Sequence, residues 1–283
     1  MPENANAATT LKELKDKINS NPDYNNKVSR PTKDVFPLSA VILVCKEDAS
    51  FLPGCLLSLP QGAEVVLAYT VPEQRTDYQA GKSSMFSGNP DLKPYMLGKD
   101  IKEMVIKYPA DDLNLSDLRN IAAGQATRDF ILKLDADERV NIPLEMLGDF
   151  YTMKDDIPNG GGIMVNVSNY ANTGGESNPW MSSQQVRIYR NGLNFLFHNR
   201  IHEVVEDSIL AAGYKILYSP ISILHLGYHT DDPRVLFKKL DRNNRGMVRD
   251  LSEHPDNEYL WGSLWRSLNE LVKLKLIKKG TGL

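Results

Sequence analysis

Short continuous apolar runs alternate with segments whose apolar residues recur at helical spacing. "SAVILVC" (Ser39–Cys45) is an uninterrupted β-branched run of strand length, the pattern of a strand covered on both faces. "SFLPGCLLSL" follows at helical spacing, and "AEVVLAY" reads as a second buried strand. A β-α-β start of this kind predicts a parallel sheet with a right-handed crossover. Residues 72–100, rich in Pro, Gly, Ser and Lys, predict a long loop. "IKEMVIKY" predicts a third strand, "LSDLRNIAAGQA" a helix opened by Ser116 as N-cap, and "FILKL" the next strand. "GGIMVNVSNY", "QQVRIYRN" and "KILYSPISILHLGY" predict later strands separated by turn residues. From Asp232 onward the pattern is helical. The first 34 residues are polar, with one short amphipathic helix around Leu11–Ile18, and form an extension. The order is thus an α/β half, a mixed β region and a helical tail.

Composition narrows the class. The 283 residues can bury a real core, and apolar and charged fractions of 41% and 24% are those of an ordinary globular protein. A net charge of −3 gives no global pull toward nucleic acid or anionic membrane. Lys and Arg nevertheless concentrate after Arg234, and the tail "KLKLIKKG" reads as a solvated helix end. The two cysteines, Cys45 and Cys55, sit in apolar company and read as buried free thiols. No apolar signal core opens the chain and no run is long enough to span a bilayer, so the expected compartment is the cytoplasm.

The chemistry concentrates in "FILKLDADERV", where Asp135, Asp137 and Glu138 cluster at a strand end. Close carboxylates repel unless water, a cation or a proton intervenes. In open α/β sheets that end of a strand faces the ligand crevice. A calcium loop would need Gly and Glu where Val140 and Met146 stand. An aspartyl phosphatase would follow the pair with a Gly-Thr turn, and here Glu138-Arg139 follows. The third chemistry is a nucleotide-sugar site, in which Asp-x-Asp holds a divalent ion that bridges the donor's two phosphates. Four of the five histidines, His198, His202, His225 and His229, also lie close in sequence. Gly227 interrupts the second pair and "ILHL" reads as strand, which disfavours a four-His zinc site. His225 becomes a ligand only if the fold carries it to the acids.

The order of motifs resembles glycosyltransferase family 2, particularly the bacterial and phage branch that includes peptide and lipopolysaccharide-core glycosyltransferases. "VCKEDASFLPGCLLSL", "NLSDLRN", "FILKLDADE", "VRIYRN", "RIHE" and "ILHLGY" stand in the family's order between Ser39 and Asp256. The resemblance implies a GT-A-type, Rossmann-like mixed α/β sheet flanked by helices, with a C-terminal helical extension. Its domains would be an extension at 1–34, a catalytic domain at 35–231 and a helical segment at 232–283. It implies a metal-dependent, inverting transfer of a sugar from a nucleotide-diphosphate donor, a UDP-sugar favoured. The acceptor would be a protein, glycan, lipid-linked saccharide or modified nucleic acid.

Carried over residue by residue, the resemblance places Lys46 and Asp48 near the base, Arg119 near the diphosphate and Asp135 on the ribose side. Asp137 and His225 would ligate Mn²⁺ or Mg²⁺, and Glu203 would be the general base. Two departures stand out. "VVLAYT" lacks the Asp that ends the second strand in relatives, and Asn114 stands where relatives carry Asp. Bland roles compete at several positions: Arg119 could pair with Asp117, Glu203 with Arg200, and Trp180 could pack rather than stack on sugar. Two rival functions remain. One is a non-catalytic carbohydrate- or nucleic-acid-binding module on a degenerate scaffold. The other is an aspartyl phosphotransferase, which would form an acyl phosphate on Asp135.

Overall fold

The structure, a computed structural model, describes residues 35–45, 50–73, 92–109, 112–173, 176–177, 181–228 and 233–280. The chain divides into two units between Val35 and Phe36. The expected helix at Leu11–Ile18, and Lys46, Asp48, Trp180 and His229, lie outside the described residues.

The second unit is a mixed α/β sheet flanked by helices, with two long helices at its C-terminal end. In chain order it runs β1 (Leu38–Val44), α1 (Leu52–Leu57), β2 (Glu64–Pro72), α2 (Lys93–Met96), β3 (Asp100–Tyr108), α3 (Leu115–Ala123) and β4 (Phe130–Asp135). Then come β5 (Glu138–Asn141), α4 (Leu144–Asp149), α5 (Met153–Asp156), β6 (Gly160–Thr173), β7 (Glu176–Ser177) and β8 (Met181–Arg190). The unit closes with α6 (Glu206–Ala211), β9 (Lys215–Tyr228), α7 (Pro233–Glu253) and α8 (Glu258–Gly280). The strand order is β3-β2-β1-β4-β8-β6-β9-β5, with β7 paired to β6. β1 to β4 form the parallel half. β8 joins antiparallel to β4 and β6, β9 runs parallel to β6, and β5 runs antiparallel to β9.

Alternation along each strand divides the core into two layers. Phe130, Leu132 and Leu134 of β4 face Leu52, Cys55 and Leu56 of α1. Ile131 faces the other way, into a cluster with Leu118 and Ala122 of α3. The same alternation puts Lys133 and Asp135 on the α3 face. Because β4 is covered on both sides, its sequence is apolar almost throughout, and the lysine is its one interior exception.

Two local expectations change. The N-cap of α3 is Asn114, not Ser116: Asn114 is extended, and its side chain accepts the Asp117 N–H at 3.2 Å. Ser116 is already helical, and its hydroxyl donates instead to the Asn199 carbonyl. Cys55 is a buried free thiol as expected, but Cys45, at the open end of β1, is only half-buried.

Candidate functional site

The parallel half delivers Asp135 to the carboxyl end of β4, and the antiparallel edge brings a second strand to meet it. After Asp135 the chain turns through Ala136 and Asp137 into β5, which places Glu138 opposite His225 of β9. The Leu226 N–H donates to the Asp137 carbonyl at 3.0 Å and pins the turn against β9. His225 Nε2 thereby lies 3.4 Å from Asp137 Oδ2. The fold does carry His225 to the acids.

The imidazole is aimed from behind. His225 Nδ1 lies 2.7 Å from Asn169 Oδ1 on neighbouring β6. An amide oxygen only accepts, so Nδ1 carries a proton and Nε2 faces Asp137, donating to it when the ring is protonated and offering a lone pair to a cation when it is not. Burial lowers the pKa of His225, but the hydrogen bond and charge of Asp137 outweigh it and the net shift is upward.

On the α3 face a second cluster forms around Arg119, whose side chain is 2% exposed. Its Nη2 bridges Asp135 at 2.6 Å and Glu203 at 3.2 Å. Its Nη1 donates to the carbonyls of Val41 and Leu134, fixing the guanidinium between β1 and β4. Lys133 stands beside it, with Nζ 3.3 Å from the Glu203 carboxylate and donating to the Glu203 carbonyl at 3.1 Å. Both cations meet the same oxygen, Glu203 Oε1. Burial would raise the pKa of Asp135 and of Glu203. Arg119 outweighs it at Asp135, and Lys133 with Arg119 outweighs it at Glu203, so both carboxyls are held below the usual range.

Each acid of the opening cluster therefore has its own basic partner. Asp135 has Arg119, Asp137 has His225, and Glu138 has Arg187 of β8 at 2.8 Å. Glu138 is fully buried and accepts the Asp135 N–H at 2.9 Å, so it braces the turn. Three separate partners thus stand against the repulsion among three neighbouring carboxylates.

The loop that carries Glu203 is tied down along its length. The Asn120 side chain accepts from the Phe197 N–H and donates to its carbonyl. Leu115 N–H donates to the Arg200 carbonyl at 2.8 Å. Arg200 pairs with Asp112, Asp250 and Glu253, not with Glu203, and this corrects the bland expectation for that glutamate. Arg119 likewise pairs with Asp135 and Glu203 rather than Asp117. His202, just before Glu203, has a φ of 60°, a left-handed conformation that a non-glycine residue holds only under strong local constraint.

Asp137 and His225 fit a divalent ion. Two ligands each about 2.1 Å from one ion can be no more than ~4.2 Å apart, and 3.4 Å falls inside that span. The Asn169 hydrogen bond is the outer-shell support that ligating histidines need. Among the described residues no group of three His, Cys, Asp or Glu converges, so two protein ligands would leave positions for phosphate oxygens and water.

Of the residues named from sequence, the structure gathers Arg119, Asp135 and Glu203 into one cluster and Asp137 with His225 into an adjoining pair. Lys133, Asn169 and Arg187 were not anticipated. A lysine inside an otherwise buried strand was the available signal for the first. Asn169 and Arg187 act through cross-strand pairing that no local pattern encodes.

No family model matches the chain. A TPR repeat-containing protein of Synechococcus elongatus is 24% identical over 247 residues, covering 85% of this chain and 54% of that protein. The chain therefore spans about half the length of the curated relative it matches. Among solved structures, residues 1–349 of Staphylococcus aureus TarS are similar at 15% identity and a TM-score of 0.40, covering 75% of this chain and 65% of that one. The same TarS segment in complex with UDP-GlcNAc gives 14% identity and a TM-score of 0.39, over 75% and 66% of the two chains. Likenesses this low carry no weight for the site, which stands on its own geometry.

Proposed function

We propose that this chain is a metal-dependent glycosyltransferase that takes a sugar from a nucleotide-diphosphate donor, with inversion at the anomeric carbon. The observation that carries the proposal is the pairing of Asp137 with an oriented His225, beside the Asp135–Arg119–Glu203 cluster, at the carboxyl end of β4. Asp137 and His225 would hold Mn²⁺ or Mg²⁺. When bound, that ion supplies charge neutralisation for a diphosphate leaving group.

The chain's own residues do the rest. Asp135 is kept ionised by Arg119 and is thereby able to accept ribose hydroxyl hydrogen bonds. Glu203, also kept ionised, accepts the acceptor's proton as it attacks, and Lys133 and Arg119 fix where that carboxylate stands. Arg119 is turned inward onto these two acids, so its role is to position them rather than to hold the diphosphate itself. Lys46 and Asp48 remain candidates for the base pocket. A UDP-sugar is the favoured donor and the cytoplasm the expected compartment. Among the described residues no helix is long and apolar enough to cross a membrane.

The test is nucleotide release from a panel of UDP-, GDP- and ADP-sugars with Mn²⁺, alongside thermal unfolding of the same mixtures. The true donor at a hundred times its dissociation constant should add about 2.7 kcal/mol of stability and should release nucleotide. Stabilisation without any release, with water or a generic acceptor present, would favour a non-catalytic carbohydrate-binding module. A phosphorylated Asp135 trapped after reaction would favour a phosphotransferase.

A further inference from the structure

Helix α8 presents two apolar faces, and among the described residues only one of them is packed against. Leu260 and Leu264 are buried against α7 with Met247 and Leu251, in a small core that also takes Ile201. Roughly a quarter-turn round the helix, Trp261, Trp265, Leu268 and Val272 form a row at i, i+4, i+7 and i+11. All four are exposed, Trp265 by 69% and Trp261 by 52%. Tryptophan is normally among the more buried residues, so two on one exposed row call for an occupant.

Charge identifies the occupant. The helical repeat carries the same row onward to positions 275 and 279, both Lys. Residues 233–280 hold eleven Lys and Arg against six Asp and Glu, a net +5, while the whole chain is −3 and the remainder is therefore −8. A second copy packing on this row would bring its lysines toward an apolar seam, which disfavours self-association. Another surface that is apolar at depth and negative at its edge accepts both ends of the row. Indole rings settle at such a boundary, and lysines reach out to anionic headgroups. The Trp261 indole N–H already donates to the Pro255 carbonyl at 2.8 Å, so its polar edge is satisfied within the protein.

We propose that α8 docks the protein on an anionic lipid bilayer, lying in the plane of the interface with Trp261, Trp265, Leu268 and Val272 toward the acyl chains. This stands apart from the proposed glycosyl transfer and holds or fails without it. It also revises the expectation that the basic tail is merely a solvated helix end.

The experiment uses the full chain with vesicles of phosphatidylcholine, with and without phosphatidylglycerol. The protein has three tryptophans, so a Trp180→Phe background leaves Trp261 and Trp265 to report alone. Docking predicts co-sedimentation with the anionic vesicles only, reversed by salt, with a blue shift of the emission and quenching by brominated acyl chains. Trp265→Glu should cut partitioning about tenfold or more with unchanged melting, and Lys275→Glu with Lys279→Glu should do so by roughly fivefold per charge. The proposal is overturned by unquenched tryptophans, by equal binding to neutral vesicles, or by unaltered binding of Trp265→Glu. Concentration-dependent self-association that Trp265→Glu abolishes would overturn it too, by assigning the row to a second copy.

Discussion

The two ends of the parallel half-sheet handle buried acid in opposite ways. At the amino end, Glu64 opens β2 with no exposed surface, and Ser39, Thr127 and Lys102 all converge on its carboxylate. Burial would raise its pKa, but the hydrogen bonds of Lys102, Ser39 and Thr127 win and hold it at about 2. At the carboxyl end, Asp137 faces His225 at 3.4 Å, and Asp135 and Glu203 share a single guanidinium nitrogen. Arg119 and Arg187 there keep buried guanidinium N–H groups without a partner among the described residues. A carboxylate satisfied on every side serves the fold. Carboxylates held in place but not surrounded remain able to take a ligand, a proton or a cation, at some cost in stability.

Charge-neutralising substitutions at the two ends should therefore read out in different assays. The largest effect is expected at Glu203. Glu203→Gln keeps the shape but removes the proton acceptor, and turnover of the donor identified by the release assay should fall by ~10²–10⁴-fold with little change in donor affinity. A loss of activity that tracks a loss of affinity would make Glu203 a binding residue, with Glu206 and Asp207 the next bases to neutralise.

At the amino end the sign reverses: stability should move and nucleotide binding should not. Glu64→Gln should cost about 3 kcal/mol at neutral pH in chemical denaturation. The folded pKa lies below the ordinary 4.5, so this stabilisation is complete above that pH and is lost as pH falls toward about 2. A denaturation series across that window should converge for wild type and variant at its acid end. Parallel curves throughout would show that Glu64 contributes no pH-linked stability.

Much of this contrast could be read in advance, and the part that could not has a physical cause. The buried strands and the final helices were legible because each extends over a full period of its hydrophobic pattern. Of the short helices, α1 was legible because apolar residues on both sides of it continue the helical spacing, whereas α4, α5, α6 and α2, the last inside the stretch read as a loop, offer no such extension. Asp135, Asp137, His225 and Glu203 were nameable from spacing and resemblance. What held them was not: Lys133, Asn169 and Arg187 reach the acids from other strands and depend on register. Asn114 rather than Ser116 caps α3 because the hydroxyl two residues on is committed to the Glu203 loop.

The smallest expected effect tests that hidden support. Asn169→Ala removes the acceptor that fixes the His225 tautomer without touching Asp137, and the Mn²⁺ concentration needed for half-maximal nucleotide binding should rise by roughly tenfold. An unchanged Mn²⁺ requirement would leave Asn169 as a strand residue only.

The central claim is that the carboxyl end of β4 carries a divalent ion through Asp137, and calorimetric titration of UDP, GDP and ADP with and without Mn²⁺ tests it most directly. Wild-type protein should bind one of the three markedly tighter with the ion present. Asp137→Asn should bind that nucleotide equally weakly in both conditions while melting close to wild type, since the ion pair it loses with His225 is a long one at 3.4 Å. A Mn²⁺-dependent affinity that survives in Asp137→Asn would contradict the account.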